Sequence, residues 1–133
     1  MKENTLIIIK PDAVKEQKIG KIISIMEKNK FSITNVKMKT LSKQEVKVLY
    51  HEHHQNPFFN EALDFMTSSP AMILILTGDN IVKKSRLLIG STNPQNATKG
   101  TIRSLYGTNY IKNSIHGSDS IENAKREIAL FFE

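Results

Sequence analysis

The stretch TLIIIKPD, residues 5–12, holds a continuous apolar run at residues 6–9. An unbroken run rich in β-branched residues is typical of a strand buried on both faces, whereas a half-exposed strand alternates apolar and polar residues. Pro11 has no backbone N–H and is predicted to end this strand. We therefore predict a central strand with Lys10 at its end.

The segments after this strand alternate between helical and strand patterns. Residues 33–41 alternate in polarity and predict a half-exposed strand, with Val36, Met38 and Thr40 on one face. Residues 71–76 predict a third strand, and Gly90 is expected to end the helix that follows it. Apolar residues spaced at i, i+3, i+4 and i+7 predict an amphipathic helix at Ile19, Ile22, Ile23 and Met26.

Three helix starts carry their own signals. Ser42 and Glu45 have the spacing of a capping box. Asn56 and Pro57 suit the N-cap and first position of a helix, whose predicted apolar stripe is Phe58, Ala62, Phe65 and Met66. The last helix is predicted to begin near Ser120 and to bury Ile121, Ala124, Ile128 and Phe131.

The order of these elements predicts the fold class. Residues 91–114 are mostly polar and predict a long irregular loop, which in a compact domain is usually functional. There are too few strands for a doubly wound sheet. The simplest closure is α+β: a four-stranded, largely antiparallel sheet in the split βαβ arrangement, with helices on one face, as a single domain over residues 1–133.

Composition narrows the function classes. Lysine and arginine number 19 against 13 acidic residues, a net charge of +6 that suits an anionic partner. With 0 cysteines, a disulfide framework and a cysteine-ligated zinc site are excluded. Neither apolar run is long enough for a signal-peptide core or a membrane span, so we expect a cytoplasmic protein.

Known local motifs give little help with the chemistry. The sequence contains no GxxxxGK[ST], GxGxxG or GxSxG, so any phosphate would have to be bound by side chains. His51, His53 and His54 are close together but lack the HExxH spacing, and a polar helix surface is the better interpretation than a metal site. His53 differs because it continues the stripe of Val46, Leu49 and Tyr50.

His116 and Glu127 form a candidate catalytic pair. His116 follows the polar loop on a predicted short strand, and Glu127 is at the edge of the apolar stripe of the last helix. A carboxylate beside a histidine is the usual arrangement for an activated imidazole. A structural histidine beside a surface glutamate fits the spacing equally well, so both interpretations stay open at this point.

The segments that carry the chemistry resemble those of the nucleoside diphosphate kinases. They are IIIKPDAV (7–14), NPFFNEALDFM (56–66), STNPQNATKGTIR (91–103) and NSIHGSDS (113–120), and the resemblance covers residues 6–132. It implies a ferredoxin-like fold with a four-stranded antiparallel sheet covered by helices. It also implies ping-pong transfer of the γ-phosphate of a nucleoside triphosphate such as ATP to a nucleoside diphosphate through a phosphohistidine, with Mg²⁺ carried on the nucleotide phosphates.

The same resemblance implies roles for individual residues. His116 is the implied nucleophile, oriented by Glu127 with help from Ser118. Phe58 would stack on the base, and Lys10 and Asn113 would bind the ribose hydroxyls. The implied phosphate contacts are Lys10, Tyr50, His53, Arg86, Thr92 and Arg103.

Assembly is a further expectation from the resemblance. The family forms hexamers, or tetramers in some bacterial members, and we expect a hexamer here. The chain stops at Glu133, so we expect contacts other than a C-terminal tail. Lys99 and Leu105 stand where the family often has Pro and Asp, which predicts a less rigid loop and loss of any contact made by that Asp.

Two other functions fit parts of the sequence. A basic ferredoxin-like domain is also how RNA-recognition motifs are built, but the aromatic RNP1 strand that binds bases in such domains does not occur here. A catalytically silent regulator would be indicated by a replaced nucleophile, and His116 is present. Nucleotides are therefore expected as partners, and neither a membrane nor nucleic acid as the main one.

Overall fold

The computed structural model describes residues 2–51 and 55–132. The strands are β1 (Lys2–Ile9), β2 (Ser32–Lys39), β3 (Ala71–Asp79) and β4 (Ile115–Gly117). A 3-10 turn at Pro94–Asn96 precedes the sixth helix. The helices are α1 (Pro11–Lys15), α2 (Ile19–Lys28), α3 (Lys43–Leu49), α4 (Phe59–Met66), α5 (Ile81–Ile89), α6 (Ile102–Tyr106) and α7 (Ile121–Phe131).

The four strands form one antiparallel sheet in the order β2-β3-β1-β4. β1 is an inner strand, as its continuous apolar run predicts. It pairs with β4 in a register that sets Ile8 opposite His116. The C-terminal end of β1, which leads into Lys10, therefore lies beside the start of the strand that carries the histidine.

Apolar cores cover both faces of the sheet, so the expectation of helices on one face is wrong. Ile7 and Ile9 belong to a core that includes residues of α2 and α5, whereas Leu6 and Ile8 belong to one that includes residues of α3, α4 and α7. Alternate residues of an inner strand point to opposite faces. A strand that is apolar at every position therefore requires apolar partners on both sides.

Several local predictions are confirmed. Ser42 and Glu45 form the capping box: Glu45 N–H donates to Ser42 Oγ and Ser42 N–H donates to Glu45 Oε1. Gly90 caps the end of α5 with a φ of 96°, in the region that favours glycine. Ser120 caps α7 by accepting a hydrogen bond from Asn123 N–H.

Other local predictions are wrong. Asn56 does not cap a helix: its side chain accepts from Phe58 N–H in a turn, and α4 begins at Phe59. Phe58 and Ile121 are about half exposed and do not pack in a core. The segment predicted as an irregular loop contains α6 and the 3-10 turn.

β2 differs from the prediction in burial, because it is an edge strand. Val36 and Met38 are each 47% exposed, so the face predicted to be buried is largely open. Within the described ranges, none of the helices has the length and apolar character needed to cross a membrane.

Candidate active site

A cavity of about 280 Å³ opens between the end of β1, β4 and the surrounding helices. Most of the sequence-predicted site residues line it. They are Lys10, Tyr50, Phe58, Arg86, Thr92, Arg103, Asn113, His116 and Glu127. Ser118 is fully buried behind the wall of the cavity, and His53 is outside the described residues.

His116 is held by a buried carboxylate. Its Nε2 lies 2.9 Å from Oε1 of Glu127, and Ser118 Oγ donates to the same oxygen at 2.7 Å. Ser118 is fixed in turn, since Leu6 N–H donates to its Oγ at 3.3 Å. Burial lowers the pKa of His116 below its ordinary value, although Glu127 acts in the opposite direction. The imidazole is therefore neutral near pH 7, with Nε2 as the donor and the lone pair on Nδ1.

The ring of Tyr50 packs edge-on against His116, with 5.9 Å between the centroids. Tyr50 follows the last residue of α3 and is its C-cap. Burial raises the pKa of the Tyr50 hydroxyl, which stays protonated. The phenol therefore limits the rotation of the imidazole and brings no negative charge into the cavity.

Lys10 and Asn113 form a buried pair near the histidine. Lys10 Nζ donates to Asn113 Oδ1 at 2.7 Å, and the Asn113 amide donates to the carbonyls of Thr92 and Tyr110. Burial, reinforced by Arg103, lowers the pKa of Lys10 to about 7. The ammonium is therefore poorly solvated and would be stabilised by an anionic ligand.

Arg103 and Arg86 each add positive charge to the cavity. Arg103 is 5% exposed and donates to the carbonyls of Gly90 and Ile115, at 3.1 and 2.8 Å. Burial, with Arg86 as the next cause, lowers the pKa of Arg103 to about 10, so it remains charged at pH 7. Arg86 is exposed and donates to the carbonyl of Gly117 at 3.2 Å.

Phe58 and Tyr110 stand at the edge of the cavity. Their ring centroids are 6.0 Å apart and their planes are tilted by 47°, and about half of each side chain is exposed. Exposed aromatic faces at a cavity edge can stack on a planar ligand. Phe58, predicted as part of an apolar helix stripe, therefore lies at the cavity edge and not in a core.

The sequence analysis missed Tyr110 and Arg126, which also line the cavity. Tyr110 lies in the polar segment, where an isolated aromatic residue gives no periodic signal. Arg126 donates to the carbonyl of Val48 at 2.7 Å, and its Nη2 is 3.5 Å from Glu127 Oε2. In the sequence, the one feature that points to Arg126 as a site residue is its position next to Glu127.

The histidine-rich segment is described only in part. His51 is exposed, which agrees with a polar surface, and His53 and His54 are outside the described ranges. Among the residues that the structure describes, no three His, Asp or Glu side chains are grouped closely enough to hold a metal ion.

The fold and the cavity together define a class of protein. The fold is α+β and ferredoxin-like, and the cavity sets cationic side chains and an oriented neutral histidine around a space suited to an anionic ligand. The model of one family, described as nucleoside diphosphate kinase, matches residues 3–133. The chain belongs to the nucleoside diphosphate kinase family, and its enzyme class is phosphotransferase.

Individual relatives agree with this assignment. The chain is 48% identical to the nucleoside diphosphate kinase of Lawsonia intracellularis, over 98% of this chain and 94% of the relative. It is 49% identical to that of Campylobacter fetus, over 98% of this chain and 95% of the relative. The crystal structure of the Aquifex aeolicus nucleoside diphosphate kinase superimposes with a TM-score of 0.96 at 37% identity, covering 100% of this chain and 96% of that one.

Proposed function

We propose that the protein transfers the γ-phosphate of a nucleoside triphosphate, such as ATP, to a nucleoside diphosphate by a ping-pong reaction through a phosphohistidine on His116. The observation that carries the proposal is the hydrogen bond from His116 Nε2 to Glu127. Because Nε2 carries the proton, the Nδ1 lone pair is free to act as the nucleophile.

In the first half-reaction, Nδ1 attacks the γ-phosphorus and forms an N–P bond. The P–O bond to the β-phosphate breaks, its electron pair stays on the β-phosphate oxygen, and the nucleoside diphosphate leaves. In the second half-reaction, a terminal oxygen of another nucleoside diphosphate attacks the phosphorus, and the electron pair of the N–P bond returns to Nδ1. Glu127 stabilises the positive charge on the imidazole while the phosphate is attached.

The cationic side chains would bind the phosphates. Phosphoryl transfer depends mainly on positioning and on positive charge around the phosphate oxygens. Lys10, Arg86 and Arg103 supply that charge, and Tyr50 and Thr92 add hydroxyl groups. We also propose His53 as a phosphate contact, on the resemblance alone.

The residues of the cavity suit a Mg²⁺ ion that arrives on the nucleotide phosphates. The carboxylate nearest the histidine, Glu127, is already engaged by His116 and Ser118, and Asp119, the other carboxylate among the described lining residues, accepts from the Asn123 amide. Magnesium commonly binds through substrate phosphates and few protein ligands. When bound, it would neutralise charge on the phosphates.

Contacts to the ribose and to the base would hold the nucleoside. Lys10 and Asn113 offer a donor and an amide suited to ribose hydroxyls, and Phe58 offers a stacking face that every base can use. A site that binds the base by stacking makes no hydrogen bonds that distinguish one base from another, so it would accept a broad range of nucleotides.

We also propose that the protein acts in the cytoplasm as a single domain that assembles into a homo-oligomer, with a hexamer preferred over a tetramer. The edge strand β2 supports assembly, because an edge with half-exposed Val36 and Met38 can pair with a second copy.

Incubation with γ-labelled ATP tests the proposed function. The wild-type protein should acquire an acid-labile, base-stable label, and His116→Gln should acquire none while retaining its fold and its affinity for nucleoside diphosphate. Gln keeps a similar shape but has no nucleophilic ring nitrogen. A phosphoprotein intermediate detected by mass spectrometry in His116→Gln would refute the proposal.

A further inference from the structure

Ser114 has an unusual backbone conformation close to the catalytic histidine. Its backbone φ is +75°, a value that residues other than glycine rarely adopt. Ile115 N–H donates to the carbonyl of Asn113 at 3.0 Å, so residues 113–115 form a tight γ-turn of the strained, positive-φ kind. β4 begins at the next residue, Ile115, and its second residue is His116.

The turn at the end of β1 holds Ser114 from both sides. The backbone N–H of Lys10 donates to the carbonyl of Ser114 at 2.8 Å. The backbone N–H of Ser114 donates to Oδ2 of Asp12 at 3.0 Å. Asp12 therefore binds the peptide that joins Asn113 to Ser114, just before the reactive strand.

Residues of the proposed site lie on both sides of this peptide, Asn113 before it and His116 after it. Asn113 Oδ1 accepts a hydrogen bond from the Lys10 ammonium, and His116 is two residues beyond Ser114. If the turn relaxed to negative φ, the direction of the chain entering β4 would change, and the Asn113 and His116 side chains would move with it. Something must therefore compensate for the strain at Ser114.

The side chain of Ser114 does not supply this compensation. It is buried, and its Oγ has no hydrogen-bond partner among the residues the structure describes. The Asp12 carboxylate is the side chain that accepts from the Ser114 N–H. Its other oxygen, Oδ1, is buried and likewise has no partner within the described ranges.

We propose that Asp12 is a positioning residue for phosphoryl transfer: by accepting the hydrogen bond from Ser114 N–H it holds the strained γ-turn, and through that turn it sets the positions of His116 and Asn113. The inference rests on the proposed function of His116. A different explanation is that Asp12 only adds negative charge to the first turn of α1, where an acidic residue is favourable.

Three variants separate these explanations. Asp12→Ala removes both the acceptor and the charge, whereas Asp12→Asn keeps an acceptor oxygen of similar size and removes only the charge. Glu122→Ala is the matched control, because Glu122 is an exposed acidic residue in the first turn of α7. The rate of His116 phosphorylation at saturating ATP, and KM, are measured for each variant by rapid quench.

Asp12→Ala should slow phosphorylation by roughly 10- to 100-fold, the effect expected of a small misplacement of a reacting group. KM should rise by a smaller factor. Asp12→Asn should remain within about threefold of wild type and Glu122→Ala should match it, because the acceptor rather than the charge is required. A loss above tenfold in Asp12→Asn, or wild-type rates in Asp12→Ala, would overturn the inference.

A second substitution tests the backbone directly. Glycine adopts positive φ without penalty, so Ser114→Gly should be nearly as active as wild type. In that background, Asp12→Ala should have a several-fold smaller effect than in the Ser114 protein. An equal or larger effect would show that Asp12 does not act through the conformation of this turn.

The imidazole itself provides a measurement that needs no phosphate transfer. In ¹⁵N-labelled protein, Asp12→Ala should shift the His116 ring resonances, and Glu122→Ala should leave them unchanged; unchanged resonances in Asp12→Ala would refute the role of Asp12. If wild-type protein takes no label from γ-labelled ATP, the proposed function fails, and the NMR comparison still decides whether Asp12 positions His116.

Discussion

Nε2 of His116 lies 2.9 Å from Oε1 of Glu127, a residue that is 3% exposed near the middle of α7. The last helix thus supplies the group that selects the histidine tautomer. Because burial also keeps the imidazole neutral, one contact determines both which nitrogen carries the proton and which one is free to react.

Glu127→Gln should therefore slow His116 phosphorylation by roughly 100-fold, since the amide can no longer neutralise the charge that develops on the ring. Glu122→Gln, an exposed change on the same helix, should have no effect. Rapid-quench measurement of phosphoenzyme formation tests this prediction. A Glu127→Gln rate within a few-fold of wild type would contradict it.

Nucleotide binding should be coupled to uptake of a proton at pH 8. Lys10, with a pKa of about 7 in the free protein, is mostly neutral at that pH. A phosphate beside it favours the charged form and raises its pKa, so the complex gains a proton. At pH 6 Lys10 is already charged, and its contribution to the uptake should disappear.

Calorimetry of ADP binding in buffers of different ionisation enthalpy measures this uptake. Lys10→Arg provides the matched control, because a guanidinium stays charged and should bind ADP without taking up a proton. Equal uptake at pH 8 by the wild type and Lys10→Arg would assign the proton to another group.

Phe58→Ala and Tyr110→Ala should each weaken binding of ADP by about 1 kcal/mol, roughly fivefold, through loss of a stacking face. Neither change should affect ribose 5-diphosphate, which has no base, and ADP, GDP and CDP should be affected similarly. Titration of the three nucleotides and the base-free compound tests the prediction. Equal weakening of ribose 5-diphosphate would show that the rings act on something other than the base.

The protein should be a hexamer in light scattering across a dilution series. Replacing Val36 or Met38 by Lys should shift the distribution towards smaller species, because charges on an edge strand oppose pairing. Ile121→Lys, at a residue of comparable exposure on α7, is the control. A monomer at micromolar concentration would refute assembly, a stable tetramer would refute the hexamer alone, and disruption by Ile121→Lys alone would rule out β2 as the contact.

Much of the fold could be predicted because its signals are local. The apolar run of β1, the capping box at Ser42 and the position of Glu127 on its helix each follow from spacing within one segment. The Asn56 helix start was wrong because the same side chain can cap a turn as well as a helix. The exposure of Val36 depends on which strand is at the sheet edge, and residue alternation does not contain that information.

The rest of the candidate site depends on contacts between distant parts of the chain. Asp12 and Ser114 are 102 residues apart in the sequence, and neither residue type signals the other. Tyr110 is a candidate because its ring lies against that of Phe58, a contact that the sequence does not indicate. The motif resemblance suggested individual site residues. The hydrogen bonds that hold those residues in position depend on the pairing of β1 with β4.

That pairing also determines when the cavity can first form as the ribosome makes the chain. Leu6 and Ser118 are hydrogen-bonded although they lie 112 residues apart in the sequence, and Glu127 is still closer to the C-terminus. At roughly 5–20 residues per second, a nascent chain would hold β1 for several seconds before β4 exists. A partly synthesised chain therefore has Lys10 but no oriented histidine, and the cavity is completed only when α7 has emerged.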